Sequence, residues 1–268
     1  MPELRRMRVL LGTYVEVVVR GPAAAIEAAI DAAFTSIARS QALWSFHDPD
    51  SELSRLNGAR GQALPVSPAS VRLLSAARAM MRASGGAFDC TVGAMLVQRG
   101  ALPDHGDGPW IARGSAGDIV IGAGWARLAR PVRLTLDGVA KGFAVDLALR
   151  AMRRAGATAG WVNAGGDMAV FGDLLLPVQR REHDGSFTRL GNLRSGAMAS
   201  SRSGPSDPDF PSHIIAHGNG APPVGVWTVV ARSAWRADAL TKVAAAGRAS
   251  LLPLLGGALV NPAAESMQ

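Results

Sequence analysis

The chain has 268 residues, 48% of them apolar and 18% charged, a balance that excludes wholesale disorder and allows a substantial buried core. No run of about 18 uncharged apolar residues occurs, which argues against a membrane-spanning helix. The formal charge of +7 and the pI near 11 raise nucleic acid as a partner, but the cations are scattered and one Tyr and seven Phe offer little base stacking, so no nucleic acid is expected.

Arg5, Arg6 and Arg8 followed by Val-Leu-Leu imitate the start of a signal peptide. The apolar part is too short and runs into alternation, so 7–19 is predicted as the first strand of a cytoplasmic protein. After Gly21-Pro22 a helix is predicted over 23–43, with Ile26, Ile30, Phe34 and Ile37 on one face. A second helix is predicted from Ser67-Pro68 to 84, stopped by Gly85-Gly86. Segment 100–131, rich in Gly, Asp and Pro, predicts loops with short strands. From Pro131 the pattern is strand, Asp-Gly turn and a helix over 139–154 ended by Gly156. Short strands follow near 160–163, 168–171 and 174–179, then a long loop over 201–224, a strand at 226–231 and a helix over 235–246. This irregular interleaving predicts an α+β fold rather than a doubly wound sheet, and no G-x-G-x-x-G follows a strand. The single cysteine, Cys90, leaves no internal disulfide and no thiolate metal cluster.

Three segments carry chemical possibilities. In Leu134-Thr-Leu-Asp-Gly-Val-Ala-Lys-Gly-Phe-Ala-Val-Asp146, Asp137 lies where strand gives way to helix and is predicted as its N-cap. Gly138 and Gly142 let backbone approach a ligand closely, and a helix N-terminus attracts phosphate; an ordinary capped junction would look the same. Asn163-Ala-Gly-Gly-Asp167 is either a backbone nest for an anion or a plain hairpin turn. In Ala237-Asp-Ala-Leu-Thr-Lys242, Asp238 and Thr241 stand one turn apart, as oxygen ligands of a hard cation would, although an Asp at a helix start is more often only a cap. Of 28 cationic residues only Lys141 and Lys242 are lysines, and both fall inside these segments. The histidines (47, 105, 183, 213 and 217) show no metal spacing, and there is no G-x-S-x-G elbow or Walker loop. By themselves the residues give Gly/Asp loops suited to phosphate and a hard cation, without a reaction.

Taken together and in order, the segments resemble the ApbE family of FAD:protein FMN transferases. Leu11-Gly-Thr13 is similar to the family's M-G-T, Ser51-Glu-Leu-Ser-Arg-Leu-Asn57 to S-E-L-S-R-L-N, and Gly86-Ala-Phe-Asp-Cys-Thr-Val-Gly93 to G-x-F-D-x-T-V-G. The 136–146 stretch resembles L-D-L-G-G-I-A-K-G-Y-A-V-D, Asn163 to Asp167 matches N-A-G-G-D, and Ala237 to Leu240 matches A-D-A-L. The resemblance implies one compact unit over 1–268, with T-fold-related mixed sheets and packed helices. It also implies FAD as substrate, Mg2+ at the diphosphate, and an acceptor flavoprotein whose threonine receives FMN as AMP leaves. On the matching positions, Asp238, Thr241 and the carbonyl of Ala140 would hold the metal. Leu11, Asp89, Thr91, Asp137, Lys141, Gly165, Gly166, Asp167 and Ser200 would form the FAD site, and Asp238, Lys242 and His213 would act in catalysis.

Several positions depart from the family pattern. Lys242 stands where a threonine is usual, Ala216 replaces an aspartate in the H-I-I-D-P loop, and Arg202 ends a segment that usually reads A-T-S-G. Leu136-Asp137-Gly138-Val139 lacks one glycine of the family's pair. These departures leave a rival reading, an FAD-binding relative that carries flavin or slowly hydrolyses FAD.

Overall fold

The computed structural model describes residues 1–106, 108–204, 214–215 and 223–260. The chain opens with a hairpin of β1 (Glu3–Leu10) and β2 (Thr13–Arg20), then α1 (Ala23–Trp44), α2 (Glu52–Gly58), β3 (Leu64–Pro65), α3 (Pro68–Ala83) and α4 (Gly93–Gln98). Strands β4 (Ile119–Gly122) and β5 (Trp125–Leu128) precede α5 (Ala140–Arg154), β6 (Ala159–Ala164) and β7 (Asp167–Phe171). A hairpin of β8 (Leu176–Arg181) and β9 (Phe187–Leu193) leads to β10 (Gly196–Ser203), β11 (Gly225–Ala231), α6 (Ala234–Val243) and β12 (Gly257–Leu259). Seven strands form one antiparallel sheet in the order β1-β2-β6-β7-β10-β11-β12, and β3-β5-β4 and β8-β9 form two smaller sheets. The fold is thus mixed α/β with antiparallel sheets, as the irregular interleaving predicted.

Alternation along the central strands sends side chains to two cores. On one face, Val15, Val17, Val19, Val162 and Phe171 meet Ile30, Phe34 and Ile37 of α1 and Val145, Ala148 and Met152 of α5. On the other, Met168, Val170 and Met198 meet Val178 and Leu193 of the β8–β9 hairpin. A third core joins α2, α3 and α4 to the segment Leu134–Leu136 and to Leu240 and Val243 of α6; the strand predicted from Pro131 is reduced to a single bridge between Arg133 and Val92.

The strand predicted over 7–19 is instead a hairpin, turning at Leu11 and Gly12 with φ of 55° and 69°. The turn inverts the parity, so the inward residues are even-numbered in β1 (Leu4, Leu10) and odd-numbered in β2 (Val15, Val17, Val19), and the apolar run Val9-Leu10-Leu11 hides the switch. The helix predicted to reach 246 leaves regular α geometry after Val243, where Ala244–Arg248 form a wider turn. Of the loop predicted over 201–224, Ser201, Arg202 and Ser203 instead pair with β11, and 205–213 and 216–222 lie outside the described residues.

The Ser-Glu-Leu-Ser-Arg-Leu-Asn run, given no element by periodicity, forms α2 and acts as a scaffold. Ser51 caps the helix by accepting from the Ser54 N–H at 3.0 Å and donates to the Ser45 carbonyl at 2.8 Å. The Glu52 carboxylate accepts from the Ser67 N–H at 3.0 and 3.1 Å, fixing the start of α3. Asn57 pairs with both backbone groups of Leu134, at 2.7 and 2.9 Å, as a neighbouring strand would. These bonds hold the segment that delivers Asp137 and the start of α5.

Asn57→Ala orphans a buried N–H and a buried C=O at once, which costs about 3 kcal/mol. Denaturant unfolding of the variant is expected to show a lowered midpoint with an unchanged slope.

Candidate active site

A cavity of about 600 Å³ opens where the end of α1, the 86–96 segment, the turn into α5 at 135–141, β10 and α6 converge. One wall is apolar: Trp44, Phe46, Phe88, Cys90, Val92 and Leu96. Trp44 is held by its Nε1–H bond to Ser70 Oγ at 2.8 Å and by an edge-on contact with Phe143, ring centroids 5.6 Å apart. Cys90 is part of this wall, and burial pushes its thiol well above the usual range, so it is an inert packing group. At the rim, Asp89 accepts from the N–H and the hydroxyl of Thr91, at 2.8 and 2.6 Å, and faces Arg113 Nε at 3.4 Å.

The polar end is built by α5 and α6. Gly142 lets the two helices meet, since a Cβ there would collide with the Ala234 carbonyl. Each helix then serves the other's exposed N–H groups. Asp146 of α5 accepts from Ala234 and Trp235 at 2.9 and 3.0 Å, and Asp238 of α6 accepts from Gly142 at 3.2 Å. Asp238 is fully buried, and its other oxygen is hydrogen-bonded by the Lys242 ammonium. Lys242 Nζ also donates to Ser201 Oγ at 2.9 Å. Lys141, in the first turn of α5, lies 3.6 Å from Asp167 Oδ2. Burial, and after it the Asp238 charge, pushes the Asp167 carboxyl up to about 6, while Asp167 first and then Asp238 raise Lys141.

The turns of two hairpins close the remaining side. The Leu11 N–H bonds Gln41 Oε1 at 2.6 Å. Gly165 has φ 65° and packs on Thr13, whose Oγ1 would be 2.6 Å from an added Cβ; the Gly166 N–H bonds Asn163 Oδ1 at 2.9 Å. The Asn163–Asp167 run is therefore a hairpin turn that also borders the cavity through Gly165.

Of the residues singled out from the sequence, Leu11, Asp89, Asp137, Ala140, Lys141, Gly165, Ser200 and Lys242 line the cavity. Thr91, Gly166, Asp167, Asp238 and Thr241 stand behind that wall, and His213 and Ala216 lie outside the described residues. Asp137 is not the N-cap: the cap position is Val139, two residues later, and Asp137 accepts from the Thr135 hydroxyl at 3.1 Å. Asp238 is not a cap of its own helix either. That helix starts four residues earlier, at Ala234, and Asp238 caps α5 from outside.

Asp146, Ser201, Arg113 and Trp44 were not singled out. Asp146 closed a motif whose glycines and lysine drew the attention, and Ser201 adjoined Ser200 in a strand hidden by the predicted loop. Nothing in the spacing around Arg113 or Trp44 signals a cavity.

A planar apolar group suits the aromatic wall, and an anion suits the end where two ammonium groups meet the α5 N-terminus. The oxygen set expected for a hard cation is committed elsewhere. Both Asp238 oxygens carry donors, and the Thr241 hydroxyl is 2.7 Å from both the Asp238 carbonyl, to which it donates, and Ser201 Oγ. Among the described residues no cluster of three or more His, Cys, Asp or Glu is arranged for a metal. Two unit charges 4 Å apart near a protein surface interact by about 4 kcal/mol, so a divalent ion beside the Lys242 ammonium meets roughly twice that repulsion.

Asp146→Ala leaves the Ala234 and Trp235 N–H groups without their acceptor. The expected loss is about 2 kcal/mol, seen by calorimetry as a melting temperature lower by roughly 6 °C.

No helix among the described residues is long and apolar enough to cross a membrane. An FAD:protein FMN transferase of Rhodobacter capsulatus is 32% identical over 192 residues, covering 64% of this chain and 35% of that protein. The chain thus spans about a third of the length of that curated relative. The crystal structure of an ApbE protein from Thermotoga maritima superposes with a TM-score of 0.80 at 23% identity, over 96% of this chain and 93% of the other. The flavin transferase ApbE of Vibrio cholerae gives 0.73 at 19% identity, over 90% and 86%. The Pseudomonas stutzeri flavinyl transferase ApbE gives 0.72 at 21% identity, over 90% and 85%. At these identities the likeness to the solved structures establishes the fold. The model of the ApbE family matches residues 11–254, nearly the whole chain, and the chain belongs to the ApbE family.

Proposed function

We propose that the chain, acting as one unit, is an FAD:protein FMN transferase. The observation that carries this reading is the cavity's division into an aromatic wall and a cationic end in a member of this family. The isoalloxazine ring lies against Trp44, Phe46 and Phe88, and the diphosphate lies at Lys141, Lys242 and the first turn of α5. Arg113, Lys141, Arg202 and Lys242 line the cavity together with Asp89 and Asp137, so cations predominate on its surface.

In this reading a threonine hydroxyl of the acceptor flavoprotein attacks the FMN-side phosphorus. A new P–O bond forms, the bond from that phosphorus to the bridging oxygen breaks, and AMP leaves with the bridging oxygen. The hydroxyl proton passes to the released phosphate or to water. The two ammonium groups and the α5 N–H groups offset charge that builds on the non-bridging oxygens and the leaving group. The aromatic wall holds the flavin so that the diphosphate stays in line for attack.

The magnesium ion implied by the resemblance would offset the same charge. Ala140, Asp238 and Thr241 do not suit it as they stand, because Lys242 occupies Asp238 and Thr241 is turned to its own helix. No step above is routed through it.

Incubation with FAD and an acceptor flavoprotein is expected to release AMP in the same amount as FMN becomes attached to the acceptor. FAD binding without AMP release would leave a flavin carrier, and absence of FAD binding would overturn the reading. The charge on Asp167 gives a second test. Its carboxyl takes up a proton as the pH falls through about 6, which removes a negative charge beside Lys141 while the diphosphate stays ionised. FAD affinity is therefore expected to tighten as pH falls through this range. His47 also lines the cavity, so the comparison with Asp167→Asn isolates the carboxylate: the variant's profile should be flatter.

A further inference from the structure

The two lysines are the only ones in the chain, and both reach the cationic end of the cavity. Lys242 is the more constrained. Its stem passes beneath the Asp137-Gly138 turn, where a Cβ on Gly138 would stand 3.3 Å from Lys242 Cε and 3.6 Å from Cγ. Its ammonium bonds a carboxylate that is itself fully buried and fixed from the other side by the Gly142 N–H. A second donor goes to Ser201 Oγ at 2.9 Å, and the side chain keeps 21% of its surface exposed on the cavity side. An ammonium has three donors, so one remains for a ligand oxygen.

We propose that the Lys242 ammonium is the built-in cation of this site, occupying Asp238 in place of a divalent metal ion, so that the chain binds the FAD diphosphate without magnesium. Three independent features place the cation there. The Gly138 turn leaves room for a lysine stem, Asp238 presents one oxygen to it, and Ser201 supplies a further acceptor. Thr241, the remaining hydroxyl on this face of α6, is spent on Asp238 and Ser201 and is not turned towards a metal. A fixed monovalent ammonium also differs from a bound ion in being permanently present, so the unliganded site already has its charge in position.

The inference rests on the flavin reading, and its tests separate the two. Manganese, followed by its electron paramagnetic resonance signal, is titrated into the flavin-free protein. The wild-type chain is expected to leave the signal of the free ion unchanged at equimolar protein. Lys242→Thr removes the ammonium and puts a hydroxyl beside the freed Asp238, and this variant is expected to bind manganese. Lys242→Met keeps the stem under Gly138 and guards against a folding defect; circular dichroism checks both variants. FAD affinity, from quenching of flavin fluorescence, is then compared in excess EDTA and in excess magnesium. Wild type should differ by less than about twofold, whereas Lys242→Thr should lose about tenfold in EDTA and recover with magnesium, a change equivalent to about 1.4 kcal/mol. Stoichiometric manganese binding by the wild type, or a tenfold fall of its FAD affinity on chelation, would overturn the inference. A wild-type chain that binds neither FAD nor manganese would sink the flavin reading alone.

Discussion

Gly142 brings the first turn of α5 against Ala234, and at that distance neither helix can solvate its own leading N–H groups. Asp146 and Asp238 solve this by crossing over, each accepting from the start of the opposite helix. The helix junction is therefore closed by side chains from 88 and 96 residues away in sequence, and it aligns α5, α6 and β10 around one end of the cavity. The cationic end of the site is arranged around that junction. Lys141 leaves the first turn of α5, Lys242 returns from the third turn of α6, and Ser201 approaches from the strand beneath.

Burying carboxylates here sets the electrostatics. An ionised carboxyl removed from water requires donors on its oxygens or it gives up its charge. Asp238 has one donor on each oxygen, the Gly142 N–H and the Lys242 ammonium. Asp167 is less well served, because its Oδ2 is buried with no hydrogen-bond partner and meets Lys141 only at 3.6 Å. That difference explains why the Asp167 carboxyl is pushed up to about 6. A diphosphate arriving at this end meets ammonium groups whose counter-charges lie behind them, turned away from the ligand.

The long helices were legible because their signals are local. Ile30, Phe34 and Ile37 repeat at helical spacing, Ser67-Pro68 opens α3, and the left-handed Gly85 and Gly156 follow the ends of α3 and α5. The first hairpin was not, since the inward face passes from even to odd residues inside the apolar run Val9-Leu10-Leu11, where the switch leaves no mark. The 201–203 end of β10 was obscured by the proline-rich stretch after it. Within the site, the ordered motifs pointed to the right neighbourhood but mixed two kinds of residue. Asn57 and Glu52 belong to a shared motif because they bind backbone on distant segments, and Asp137 and Lys141 belong to one because they face the cavity. Spacing alone does not separate these, because the partner of a capping carboxylate is set by tertiary contact. Asp238 shows this best: its place in α6 suggests a local cap, and its actual partner is Gly142.

The contrast between lysine and arginine bears on the same point. Several arginines stand on the surface, where a broad planar fork meets Glu16, Glu27 or Asp118 from solvent. Under the Gly138 turn the available space is a channel for an unbranched stem, closed at its end by Asp238 and Ser201. A guanidinium would have to present its plane to two acceptors that converge on a single point, and its bulk would press on the turn that starts α5. A compact ammonium satisfies both acceptors and still directs a proton into the cavity. At Lys242, then, the helix junction accepts a point charge on a slender chain, and lysine supplies one.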